Sequence, residues 1–204
     1  MDLINQVMKI LASLLVLLLL SFHGVGQKFK DGDLIFQSSY SQQSAAIEEA
    51  TNSPYSHCGI IFYENGVPYV YEAVQPVGKR TLDDWIESGV NEMYVVKRLK
   101  DTTILGMKEI AAMKKYAVAQ FGKNYDGVFH WSDKEMYCSE LVYKCYLNAC
   151  QIKLTTPLPL RDFNIDGPLV RKVMKQRYGN DIPYDEPMVS PDQLFKSPKL
   201  MTIN

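Results

Sequence analysis

Three side chains in this 204-residue chain have the types and settings for acyl-transfer chemistry: Cys138, His57 and Glu72. Cys138 stands in Tyr137-Cys138-Ser139-Glu140, where polar sequence gives way to an apolar stripe of helical spacing (Cys138, Leu141, Val142, Cys145, Ala149). A thiol in the first turn of a helix sits among unpaired backbone N–H groups at the positive end of the helix dipole, and both favour thiolate. A thiolate attacks a carbonyl carbon, an imidazole moves the proton, and a carboxylate fixes the imidazole's tautomer; together they make a cysteine hydrolase. The Cys138 N–H, flanked by Tyr137 and Ser139, can hold the oxyanion, with the Gln37-Ser38 region as a second source of donors. The competing account of Cys138 is a plain core thiol, because free cysteines are commonly buried.

His57 has two rivals. His23 belongs to the apolar N-terminal region, and His130 lies between Phe129 and Trp131, close to Cys138 in sequence but in a loop. A strand holds an imidazole more firmly than a loop does. Glu72 interrupts the apolar run Tyr69-Val70-Tyr71-Glu72-Ala73-Val74; a solvated strand carboxylate is its commoner fate, and an acceptor for the imidazole N–H is its functional one. So few histidines, without clustered Cys/His spacing, do not point to zinc, and thiol chemistry of this kind needs no metal or organic cofactor.

The elements that must bring these residues together are legible in part. His57 to Tyr63 and Val67 to Val74 are β-rich runs around Asn65-Gly66, a favoured type I′ turn pair. If Glu64 pairs with Val67, His57 lies opposite Val74 with Glu72 as its diagonal neighbour, ~7–8 Å away at Cα and on the same face. Cys58 then points to the other face with Ile60 and Phe62. A one-residue slip would part His57 from Glu72. Leu34 to Gln37 reads as a strand after Asp31-Gly32-Asp33, Ser41 to Ala50 as a helix, and Thr81 to Ile86 as a short capped helix. Glu92 to Arg98 reads as a strand, Leu105 to Phe121 as a helix stopping at Gly122, and Ser190-Pro191 as the start of a last helix. Pro157, Pro159 and Pro168 divide the sequence after Cys150 into loops and short pieces.

Net charge is -1 and no basic run appears, which argues against nucleic acid as a partner. Ile10 to Leu20 is almost continuously apolar, with Lys9 before it and Gly24 and Gly26 after it. That pattern predicts a secretory signal over residues 1–26, cleaved to leave Gln27 first, with an uncleaved anchor as the alternative. One domain over residues 27–204 is expected, exported to the periplasm or beyond, near membrane or cell wall. Export permits disulfides, but Cys138 and Cys145 would stand roughly 10 Å apart along one helix, and Cys145 and Cys150 about 140° apart around it. Four free thiols are expected, three of them plain core residues.

Taken in order, Gly32-Asp33-Leu34-Ile35-Phe36, Ser53-Pro54-Tyr55-Ser56-His57-Cys58-Gly59-Ile60, Tyr71-Glu72-Ala73 and Tyr137-Cys138-Ser139-Glu140-Leu141-Val142 resemble the permuted papain-like hydrolases, NlpC-type proteins of the YiiX-like branch. The similarity runs from about Gly32 to Cys150. It implies an α+β, circularly permuted papain-like fold, with a small antiparallel β-sheet packed against helices and the cysteine on a helix end facing the sheet. It also implies Cys138 as nucleophile, His57 as base and Glu72 as orienter. Cys58 departs from the Val or Ile commoner after this histidine, a change expected to matter little on the far face. The expected activity is hydrolysis of an amide through a thioester, in a peptidoglycan stem peptide, an N-acylated small molecule or a lipid amide. Tyr125, Phe129, Trp131 and Tyr137 are candidates to line an apolar pocket or to fill core. A thiol-dependent acyltransferase, a lipid esterase and a non-catalytic envelope binding module remain as alternatives; oligomeric state is left open.

Overall fold

A computed structural model describes residues 29–203, so the expected signal segment at 1–26 lies outside the described residues. The chain folds as α+β, with six α-helices and a six-stranded antiparallel sheet among the described residues. In chain order these are β1 (Leu34–Ser39), α1 (Gln42–Thr51), β2 (His57–Glu64), β3 (Val67–Glu72), β4 (Gly78–Thr81), α2 (Leu82–Glu87), β5 (Gly89–Leu99) and α3 (Met107–Val118). There follow α4 (Cys138–Cys150), β6 (Leu158–Pro159), α5 (Pro168–Tyr178), β7 (Pro187–Met188), α6 (Pro191–Phe195) and β8 (Leu200–Thr202). The sheet runs β4-β3-β2-β1-β5-β8, and β6 pairs separately with β7.

The hairpin forms in the expected register. Asn65 and Gly66 both take positive φ (50° and 83°), as a type I′ turn requires, and Glu64 pairs with Val67. From there Ile60 falls opposite Tyr71, and β3 stops at Glu72, two residues short of the expected Val74. Gly59 permits the close approach: a Cβ there would lie 2.9 Å from the Tyr71 carbonyl oxygen.

The pleat sorts side chains into two cores. Leu34, Phe36, Cys58, Ile60 and Phe62 face α3 and α4, packing with Met113, Val142 and Tyr146. Ile35, Ile61, Val70 and Val96 face the other way, onto Leu82 and Trp85 of α2. Asp33, in the turn before β1, is buried and takes two hydrogen bonds from Arg98, each 2.7 Å, which lock β1 to β5.

Two helices depart from expectation. α3 spans Met107–Val118 rather than reaching Phe121. The region read as loops holds α5, eleven residues with Pro168 at its first turn, where the missing N–H costs nothing. Its start is tied to α1: the Glu49 carboxylate accepts the backbone N–H groups of Leu169 (2.9 Å) and Val170 (3.0 Å). Gly167 makes room for this, because a Cβ there would lie 2.5 Å from Glu49 Oε2.

Candidate active site

Tyr137 is the N-cap of α4 and Cys138 its first residue, so the thiol projects from the helix's positive end. The flanking side chains hold this turn. Ser139 Oγ donates to the Val189 carbonyl (2.7 Å), and the Tyr137 hydroxyl accepts from the Val189 N–H (3.2 Å). Glu140 is fully buried; it accepts from the Tyr137 N–H (3.4 Å) and pairs with Lys144 (2.7 Å). Burial drives its carboxyl up to about 7, against the pull of Lys144.

His57 opens β2 and reaches both other members of the predicted set. Its Nε2 lies 2.5 Å from Glu72 Oε2, and its ring hydrogen-bonds to Cys138. Glu72 is almost wholly buried and held from three sides: by His57, by Trp85 Nε1 at 2.9 Å, and by Arg80 Nε on its other oxygen. Trp85 also stacks on the imidazole, ring centroids 5.8 Å apart. Sequence reasoning missed Arg80 and Trp85; an indole and a guanidinium on the neighbouring strand and helix carry no local signature of that role.

The charges follow from these contacts. For Cys138, a hydrogen bond from the Cys58 thiol outweighs burial, and His57 and the Cys58 backbone N–H add to it, so the sulfur is thiolate well below the ordinary thiol range. For His57, burial opposes the charge, but hydrogen bonds to Cys138 and Glu72 overcome it and raise its pKa from 6.5 to about 10. Burial likewise pushes Glu72 up, and the His57 and Arg80 hydrogen bonds hold it below its usual value. Cys58 keeps its proton: burial raises it, and the neighbouring Cys138 charge raises it further.

Cys58 therefore needs a correction. It does point away from the face of Ile35 and Ile61, but α4 occupies the face it enters, so it touches Cys138 instead of filling a remote core. Its backbone N–H is available because β3, ending at Glu72, gives it no ladder partner. All four cysteines are free, as expected; Cys145 bonds the Met113 carbonyl and Cys150 the Glu109 carbonyl.

Gln37 and Ser38 are not at the thiol. Gln37 is buried behind the sheet, its amide on Ser88 Oγ (3.3 Å), and Ser38 hydrogen-bonds to Glu48 of α1. The pleat explains Gln37: Phe36 faces Cys58's side, so Gln37 faces the other. His130 is exposed and turned to Glu186 (3.5 Å), so it does not compete with His57.

Tyr125, rather than Gln37 or Ser38, stands near the thiol. A bridge between Tyr125 and Met136 folds the loop before α4 back, placing Tyr125 beside Cys138 on the wall of one pocket. Its hydroxyl accepts from Gln43 Nε2 (2.6 Å), and Gln43 Oε1 accepts from Arg177 (2.5 Å), so the phenol's own proton is free to point at a ligand. The pocket has a volume of about 100 Å³, and Cys138 is among its lining residues. Its walls come from α1 (Ala46, Ile47), α5 (Val170, Met174) and the aromatics Phe129 and Tyr137, with Arg177 the one charged lining residue. Trp131 is not in it; that ring packs on Tyr143. Among the described residues, no group of three or more His, Cys, Asp or Glu side chains is placed to hold a metal ion.

Comparisons with known proteins identify the family. The uncharacterized protein YiiX of Escherichia coli (strain K12) is 40% identical over 190 residues, 93% of either chain. A crystal structure titled as the metalloprotein YiiX from Escherichia coli O157:H7 superimposes with a TM-score of 0.83 at 41% identity, covering 87% of this chain and 97% of that one. Residues 28–204 match the family described as permuted papain-like amidase enzymes, YaeF/YiiX, C92 family. The α+β architecture is thus a circularly permuted papain-like fold, and the chain belongs to the C92 family of permuted papain-like amidases, cysteine hydrolases of amide bonds.

Proposed function

We propose that the chain hydrolyses the amide of an N-acylated compound, binding the acyl chain in the pocket beside Cys138 and passing through a thioester. The observation that carries this reading is the apolar lining of the pocket on which the Cys138 sulfur opens. A peptidoglycan stem peptide would ask for polar partners along such a wall, and Gln43 and Arg177 are already bonded to each other.

In this mechanism Cys138, already thiolate beside a protonated His57, attacks the amide carbonyl carbon. The carbonyl oxygen takes the negative charge and is held by the Cys138 backbone N–H and the Tyr125 hydroxyl. His57 gives its proton to the departing amine and the C–N bond breaks, leaving the acyl group on sulfur. His57 then takes a proton from water, whose oxygen attacks the thioester; the acid leaves and thiolate and imidazolium return. Glu72 stays ionised throughout, keeping the ring in place and favouring its charge.

The test is turnover of N-acyl amides of one amine with graded chain length. Burial of each methylene is worth ~0.8 kcal/mol, so kcat/KM is expected to rise about fourfold per carbon until the pocket is full. Intact mass should show the acyl group on Cys138 after rapid quenching. Equal turnover by Cys138→Ala would refute the reading, and a flat chain-length series would move the acyl group out of the pocket. Added amines or alcohols discriminate hydrolase from acyltransferase; faster cleavage of matched esters would favour the esterase alternative. Export is part of the proposal, supported by the apolar run from Ile10 to Leu20, and sequencing the mature N-terminus for Gln27 tests it.

A further inference from the structure

The acyl-transfer steps need one sulfur, and this site has two. The pleat sends Cys58, with Phe36 and Ile60, onto the face where α4 begins, and Cys58 and Cys138 lie in one buried cluster with their side chains hydrogen-bonded. Access to them is unequal. Cys58 is fully buried, whereas Cys138 opens on the pocket, so a small oxidant meets Cys138 first. Cys145 and Cys150 are bonded elsewhere along α4 and do not compete.

We propose that Cys58 and Cys138 form an oxidation site that takes a hydroperoxide and closes to a reversible disulfide. The Cys138 sulfur attacks a peroxide oxygen: an S–O bond forms, the O–O bond breaks, and the departing hydroxide takes the His57 proton to become water. The Cys58 sulfur then attacks the resulting sulfenyl sulfur: the S–S bond forms, the S–O bond breaks, and hydroxide leaves with the Cys58 proton as a second water. Peroxide gains two electrons and the two thiols lose two. A sulfenic acid without a neighbouring thiol proceeds to sulfinic acid, which thiol reductants do not reverse. Here the second sulfur already belongs to the same buried cluster, and an intramolecular partner outcompetes a second peroxide from solution.

This inference rests on the shared buried cluster of the two thiols where α4 begins and not on the acyl-amide reading, so its test uses no substrate. The full chain is titrated with hydrogen peroxide and followed by intact mass, peptide mapping and iodoacetamide labelling of Cys138, before and after dithiothreitol. The expected result is a loss of two hydrogens, a linked Cys58–Cys138 peptide pair, and complete loss of Cys138 labelling that dithiothreitol restores. Cys58→Val and Cys58→Ser, which keep the volume by different chemistry, should instead gain oxygen at Cys138, with labelling that stays lost. Wild-type Cys138 ending as sulfinic acid, a bridge to Cys145 or Cys150, or labelling unaffected by peroxide that oxidises free cysteine would each overturn it.

Discussion

Glu72 shows how much one buried carboxylate organises. With His57 alone it would be a costly desolvated charge; Arg80 and Trp85 complete its hydrogen bonding and let it stay ionised against the ring. His57's pKa near 10 sets the sign of the pH response. As a raised base, His57 contributes stability that is complete below its unfolded value of 6.5 and lost as pH climbs toward 10. Turnover needs the same imidazolium to protonate the leaving amine, so kcat/KM is expected to hold through neutral pH and fall near pH 10. In Glu72→Gln that basic limb should move down by about one pH unit or more, with activity reduced but present; an unmoved limb in the pH–rate profile would separate Glu72 from the ring. Tyr125→Phe keeps the ring and removes one oxyanion donor, so a loss of about 10²-fold in kcat with little change in KM is expected from steady-state kinetics. Cys138 and His57 were legible because their types had few rivals, and Glu72, one of 23 acidic residues, because the hairpin register set it on the histidine's face. Tyr125 was legible as a pocket aromatic but not as a neighbour of the thiol, because the nineteen-residue connection between α3 and α4 has no periodicity to show that Tyr125 folds back against Met136.

The hairpin between β2 and β3 is the element on which the site depends. Its register was readable because the Asn65-Gly66 turn admits one pairing, and a period of two then assigns every side chain to a face. The same periodicity placed Cys58 opposite His57 but could not say which helix covered that face; that depends on contacts distant in sequence. Gly59 tests the element: Gly59→Ala should push β3 from β2, cost about 1–3 kcal/mol in urea unfolding, and reduce turnover further by withdrawing Glu72 from His57. α5 was hidden for a different reason. The prolines around it read as breaks, whereas here Pro168 begins the helix, and the acceptor for its first N–H groups, Glu49, comes from α1.

At the scale of the whole molecule, sheet and helix α4 carry the chemistry, and α1 with α5 build the compartment beside it. Ala46 lines that compartment from α1, so Ala46→Phe should flatten the chain-length dependence of kcat/KM while leaving short acyl amides close to wild type. Loss of activity on every chain length would place Ala46's role in folding instead. The Val189 peptide group has a wider consequence. Its N–H and carbonyl are bolted to Tyr137 and Ser139, the two neighbours of the nucleophile, yet Val189 leaves the ribosome some fifty residues after them. A nascent chain therefore carries cysteine, histidine and glutamate well before it carries the brace that seats the thiol, so the nucleophile is seated only once that later segment has been made.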